Sequence, residues 1–282
     1  MRHVAVRAEE LGYASLWTFQ RLLHPVDAVW GPEYHCVHDP LTALAYVAGL
    51  TSRIRLGVAV LLPFGPPIVA AKALTTLDVV SGGRLDVGLG LGWAPEEFTA
   101  AGVDFARRGA RIEEYLRCLR MIWTEPEVEF AGDFYTVPRC RVDPKPEQQP
   151  HPPLLLGGGV PAALQRAGRL ADGWISSSRT DLSTIGSSIE VIRSAATEAG
   201  RDAGALRFVV RGVVRMRAGA DSHRRPLTGT TEQIRSDLAD LAESGVTEVF
   251  VDLNWDPQVL AEETDPAWTV NYVERVLTEL AP

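Results

Sequence analysis

Cysteine is scarce in this 282-residue chain. Cys36, Cys118 and Cys140 are odd in number, widely spaced and free of any C-x-x-C pairing. That excludes a disulfide framework and a zinc ribbon and suits a reducing compartment. Long apolar runs are also missing: the most apolar stretch, Leu56 to Ala71, is broken by Pro63, Pro66 and Pro67. No segment therefore reads as a membrane span. The opening Met1-Arg2-His3 leads into an amphipathic pattern with Glu9 and Glu10, not into the apolar core of a signal peptide, so a cytoplasmic location is expected. Positive charge is in deficit, with 28 Lys and Arg against 36 Asp and Glu and a formal net charge of -8. Nucleic-acid binding draws on clustered cations. The expected partner is a small-molecule substrate, with neither nucleic acid nor membrane.

What the chain does have is core and alternation. At 46% hydrophobic and 23% charged it can bury a large interior, and its length suits one α/β barrel domain over 1–282. Periodicity predicts seven strands, near Ala14–Phe19, Ile54–Leu62, Leu85–Leu91, Pro153–Gly157, Gly173–Ser176, Arg207–Arg217 and Glu248–Leu253. It predicts eight helices, near Arg2–Leu11, Pro40–Leu50, Pro67–Val80, Arg107–Trp123, Pro161–Leu170, Leu182–Ala199, Thr231–Glu243 and Trp268–Leu280. Continuously apolar strands such as Ile54–Leu62 imply a parallel sheet covered by helices. A closed eight-unit barrel needs one more strand ahead of the first helix, and that strand is lacking here. The region at about 125–153 departs from the alternation as a hairpin followed by a proline-rich approach to the next strand.

Three segments carry candidate chemistry. Leu154-Leu155-Leu156-Gly157-Gly158-Gly159-Val160-Pro161 is a strand running through glycines into a helix start. Its amides could hold a cofactor phosphate, or it is a tight turn. It has neither G-x-G-x-x-G spacing nor a P-loop lysine, which weakens nucleotide-binding readings of those kinds. In Leu85-Asp86-Val87-Gly88-Leu89-Gly90-Leu91-Gly92-Trp93, glycines repeat on one face, leaving backbone that could face a flat ring or simply pack tightly. Trp93 stands at the strand's C-terminal end, where barrel active sites lie.

The third segment is a polar loop with Gln20, Arg21, His24, Asp27, Glu33, His35, His38 and Asp39. Its spacing matches no zinc motif, so no metal is expected; acid–base work, substrate contact and plain solvation remain open for it. Arg107, Arg108 and Arg111 read as a solvated helix face or as salt-bridge partners, and His151 and His223 as surface residues. No G-x-S-x-G elbow is present to support a serine hydrolase.

Taken as an ordered set, the motifs resemble the bacterial luciferase-like monooxygenase superfamily, and within it the F420-dependent oxidoreductase branch. They run from Arg7-Ala8-Glu9-Glu10-Leu11-Gly12-Tyr13-Ala14-Ser15-Leu16-Trp17 through Asp39-Pro40-Leu41, Thr51-Ser52-Arg53-Ile54-Arg55-Leu56-Gly57 and Asp78-Val79-Val80-Ser81-Gly82-Gly83-Arg84-Leu85. Pro144-Lys145-Pro146, Pro152-Pro153, Gly157-Gly158 and Ala171-Asp172-Gly173-Trp174 complete the set.

The resemblance implies a (β/α)8 TIM barrel whose first strand is missing from this chain. It implies a cofactor ring near Leu61, Leu62, Gly90 and Trp93, and a phosphate near Gly157, Gly158 and Gly159 with Ser176. It further implies a non-proline cis peptide near Val60-Leu61-Leu62. Where many F420-dependent relatives read Asp-His, this chain reads Gln20-Arg21. Those two become candidate substrate contacts, and His24, Glu33, His35 and His38 become candidates for the proton transfer. The expected activity is hydride transfer between F420 and a small organic substrate. The alternatives are an FMN-dependent monooxygenase supplied by a flavin reductase, and a non-catalytic cofactor-binding barrel. A homodimer is expected.

Overall fold

The computed structural model of the protein describes residues 1–219, 223–261 and 265–282. Strand and helix alternate as expected. The principal sheet consists of β1 (Ser15–Thr18), β2 (Arg55–Leu61), β3 (Leu85–Leu89), β4 (Leu154–Gly157), β5 (Gly173–Ile175), β6 (Arg207–Val213) and β7 (Glu248–Asp252). Their hydrogen-bonded order follows the chain, β1-β2-β3-β4-β5-β6-β7. The pairs β2–β3, β5–β6 and β6–β7 are parallel.

All eight expected helices form: α1 (Arg2–Glu10), α2 (Pro40–Ala48), α3 (Pro67–Val80), α4 (Arg108–Thr124), α5 (Pro161–Leu170), α6 (Ile185–Glu198), α7 (Thr231–Glu243) and α8 (Pro266–Glu279). Proline at the first turn opens α2, α3, α5 and α8, where its missing N–H costs nothing. Asp39, Thr230 and Asp265 cap α2, α7 and α8 through side-chain oxygens that accept backbone N–H groups.

Backbone contacts group the chain into two compact units. The first comprises 1–16, 31–33 and 156–282; the second comprises 17–30 and 34–155.

In the second unit, every residue of β3 is buried, as are Leu56, Val58 and Leu61 of β2. Each such aliphatic side chain contributes about 1.5–3 kcal/mol by leaving water. Arg84 fastens the preceding turn, its guanidinium donating to the carbonyls of Ala48, Thr51, Ile54 and Ser81. The insertion forms the antiparallel hairpin Val128–Ala131 with Thr136–Cys140. Glu114 of α4 holds its turn, accepting from the amides of Asp133, Phe134 and Tyr135 at 2.8–2.9 Å. Gln148 ties the proline-rich return to Asp78 and to the Leu85 carbonyl. Arg111, expected on a solvated face, is buried with its guanidinium 5.5 Å from the Phe134 ring. The hairpin covers it.

In the first unit, β5 and most of β6 are buried, whereas β7 is half-buried. The run expected as one strand over Arg207–Arg217 divides at Val214. The Val214 amide still donates to Asp252, but the Arg215 amide turns to Leu227, starting a short parallel pair of Arg215–Met216 with Thr228–Gly229. No helix among the described residues is long and apolar enough to cross a membrane.

Candidate active site

Parallel strands present ligand sites at their C-terminal ends, because the loops there are free to vary while the strands hold position. In the second unit, the chain leaves β1 through Phe19, Gln20 and Arg21. The Gln20 side-chain oxygen accepts the Leu62 amide at 2.8 Å, which joins this loop to the end of β2. Arg21 donates to Glu97 at 2.6 Å, and the Leu22 amide donates to the other Glu97 oxygen at 2.8 Å. The Arg21 guanidinium also lies 4.7 Å from the Trp93 ring, 5.1 Å from Tyr34 and 5.8 Å from Trp30, within cation–π range. Arg21 is thus enclosed by its own neighbours.

Glu97 is completely buried. Burial pushes its carboxyl above the usual range, while the Leu22 amide and the Arg21 charge pull it back. It sits on the helix Pro95–Ala100, which sequence periodicity does not reveal because six residues are too few to show a face. The visible signal is an acidic pair, Glu96-Glu97, directly after Trp93-Ala94-Pro95.

His24 stands in the same cluster. Its ring lies 4.0 Å from the His35 ring and 5.4 Å from Trp30, both edge to face. Nδ1 is 3.0 Å from the Pro25 carbonyl oxygen. A carbonyl only accepts, so Nδ1 carries the proton and Nε2 keeps its lone pair in the neutral ring. Nε2 is buried and has no hydrogen-bond partner among the described residues.

The structure therefore brings together Gln20, Arg21, His24, His35 and Trp93, and adds Trp30, Tyr34 and Glu97, which sequence reasoning missed. His38 is exposed, next to the cap Asp39. Glu33 belongs to the first unit, its carboxylate lying over Gly31.

Leu61 and Leu62 are buried at the end of β2, and the Ala59–Val60 peptide is cis, at the expected strand end. The glycines of β3 and its continuation answer the packing alternative. A Cβ at Gly88 would come within 2.2 Å of the Val58 carbonyl oxygen, and one at Gly90 within 2.4 Å of Val60. β2 thus approaches both glycines closely. Trp93 is 43% exposed.

In the first unit, Gly157 ends β4. Gly158 adopts φ +130, and its carbonyl accepts the Trp174 indole N–H at 2.7 Å. A side chain there would collide with Ala163 at 2.6 Å. Gly159 has open space around it. The amides of Ala163 and Leu164 turn back to the Val160 carbonyl. The Ser176 hydroxyl accepts the Arg211 amide at 2.9 Å and stitches β5 to β6.

The profile of the luciferase-like monooxygenase family matches residues 1–234. The chain belongs to this family of oxidoreductases. It is 35% identical over 245 residues to an uncharacterized protein of Mycobacterium tuberculosis, covering 86% of this chain and 76% of that one. It is 34% identical over 180 residues to an F420-dependent glucose-6-phosphate dehydrogenase of Amycolatopsis mediterranei, covering 62% and 52%. It is 35% identical over 168 residues to an FMNH2-dependent dimethylsulfone monooxygenase of Pseudomonas putida, covering 58% and 46%. Among solved structures it resembles the monooxygenase RslO1 of Streptomyces bottropensis, with TM-score 0.80, 24% identity and coverage of 99% and 92%. An F420-dependent secondary alcohol dehydrogenase matches with TM-score 0.81, 18% identity and coverage of 100% and 94%. The fold is that of the luciferase-like barrels, with seven strands in the principal sheet among the described residues.

Proposed function

We propose that the protein transfers a hydride between coenzyme F420 and a small organic substrate, with His24 exchanging the proton that accompanies it. The observation that carries this reading is the buried, unpartnered Nε2 of His24 beside an aromatic wall. A buried polar atom without a partner costs about 1–3 kcal/mol, so the cluster favours a bound group that completes it. When bound, the deazaflavin supplies the hydride or receives it. Leu61, Leu62 and Trp93 would hold its ring.

The remaining work falls to the chain's own residues. The Pro25 carbonyl fixes the tautomer of His24, so that Nε2 accepts a proton from a substrate hydroxyl or, once protonated, returns it. Arg21, neutralised by Glu97, keeps Trp93 and Tyr34 in place and holds the loop shut against water. Proton transfer by a placed side chain contributes roughly 10²–10⁴-fold in rate. His24→Gln should therefore lower kcat by about a hundredfold or more while coenzyme affinity stays within about twofold. Wild-type turnover in His24→Gln would overturn the assignment.

The FMNH2-dependent relative makes reduced FMN with oxygen the second reading, in which a reductase partner would deliver the flavin. Parallel titrations with F420 and FMN separate the two. The homodimer belongs to the same proposal and is read by sedimentation of the purified protein.

A further inference from the structure

The His24 cluster contains an arginine whose charge is already matched. Segments 17–30 and 93–100, both in the second unit, carry one Lys or Arg, Arg21, against three acids, Asp27, Glu96 and Glu97. The Arg21 side chain is 10% exposed, that of Glu97 is fully buried, and the two pair at 2.6 Å. Asp27 and Glu96 are exposed and add negative charge to the same two segments. The rings of Trp93, Tyr34 and Trp30 lie 4.7, 5.1 and 5.8 Å from the guanidinium. Aromatic carbon therefore covers the cation in addition to its counter-ion.

These features set what the cluster accepts. A carboxylate or phosphate brought here would lose its water and find the one arginine already matched, which costs far more than burying an uncharged group. An aromatic ring fares better. Trp93 is part-exposed, and Trp30 already packs edge to face against it at 4.7 Å, a geometry that a further ring can extend. His24 adds one polar acceptor, the lone pair of Nε2, which suits a hydroxyl proton.

We propose that Glu97 is a specificity-determining residue of this cluster: by cancelling the charge of Arg21 it selects an uncharged aromatic alcohol or ketone and rejects the corresponding anion. The inference rests on the placement of the substrate at the His24 cluster and names its chemical class. Selection of this kind works through the cost imposed on the rejected ligand as much as through contacts to the accepted one.

The test is calorimetric titration of the whole protein with 1-phenylethanol and with mandelate, without and with saturating F420, at a pH well above the carboxylate range. The two probes share a ring and a hydroxyl and differ in a methyl against a carboxylate. Wild type should bind 1-phenylethanol about tenfold or more tightly than mandelate. Glu97→Gln leaves Arg21 without its counter-charge, so mandelate should tighten about tenfold while 1-phenylethanol changes by less than about twofold. Trp93→Leu, at a part-exposed position, should weaken 1-phenylethanol about tenfold. Circular dichroism checks the fold of each variant, and the wild-type ratio together with Trp93→Leu decides the matter should Glu97→Gln unfold. Equal or tighter binding of mandelate by wild type, an unchanged ratio in folded Glu97→Gln, unchanged 1-phenylethanol affinity in Trp93→Leu, or saturation by neither probe would overturn the proposal. Failure of the hydride-transfer reading is distinguishable, because binding needs no hydride and turnover with reduced FMN would leave the ratio intact.

Discussion

Two buried carboxylates face arginines in this protein and are shifted in opposite directions. Glu97, in the second unit, is held above the usual range, burial being the largest influence. Asp256, in the first unit, is held below it, because hydrogen bonds overcome the effect of burial. The difference lies in the donors. Glu97 accepts from Arg21 and the Leu22 amide. Asp256 accepts from both terminal nitrogens of Arg217, the Tyr272 hydroxyl and the Gln258 amide, at 2.8–3.0 Å. An arginine neighbour alone does not offset desolvation; a full set of donors does. The saturated carboxylate is scaffold, tying Tyr272 of α8 to the segment after β6. The less saturated one stands beside the candidate active site, where a compliant loop has more use than a rigid one.

The comparison can be broken at either residue. Asp256→Asn should cost about 2–4 kcal/mol, since it replaces charge-assisted hydrogen bonds in a buried network, and a fall in the urea midpoint reads it. Glu97→Gln should cost less, about 1–3 kcal/mol, because only Arg21 and the Leu22 amide lose a charged acceptor. Equal losses would contradict the contrast.

The pH profiles sharpen it further, because the two groups have opposite linkage signs. Asp256 has a folded value below its unfolded one. Its contribution is complete above the ordinary aspartate range and is lost as pH falls below that range through the lowered value. Glu97 has a folded value above its unfolded one. Its contribution is present below the ordinary glutamate range and is lost as pH rises through the raised value. Asp256→Asn should therefore flatten the acid limb of the stability curve, and Glu97→Gln should flatten the decline above the carboxylate range. Chemical denaturation across pH 3–8, on the order of one measurement per half unit, distinguishes these slopes.

The fold was legible because its strongest signals are the fasteners themselves. Ser81-Gly82-Gly83-Arg84, part of the family resemblance, is a turn that Arg84 closes on four carbonyls. Likewise the alternating glycines Gly88 and Gly90 mark close approach to β2. The candidate site was legible only in part. The loop carrying Gln20, Arg21, His24 and His35 could be picked out by residue type, but nothing in its spacing shows that Arg21 is neutralised by Glu97. That contact spans 76 residues and depends on a helix of six.

The most direct test of the central claim is an anaerobic turnover assay with reduced F420 and a panel of oxidised organic substrates, run beside reduced FMN with and without oxygen. The account predicts oxidation of reduced F420 coupled to substrate reduction without oxygen, with the rate falling about a hundredfold or more in His24→Gln. Turnover confined to reduced FMN and requiring oxygen would contradict it.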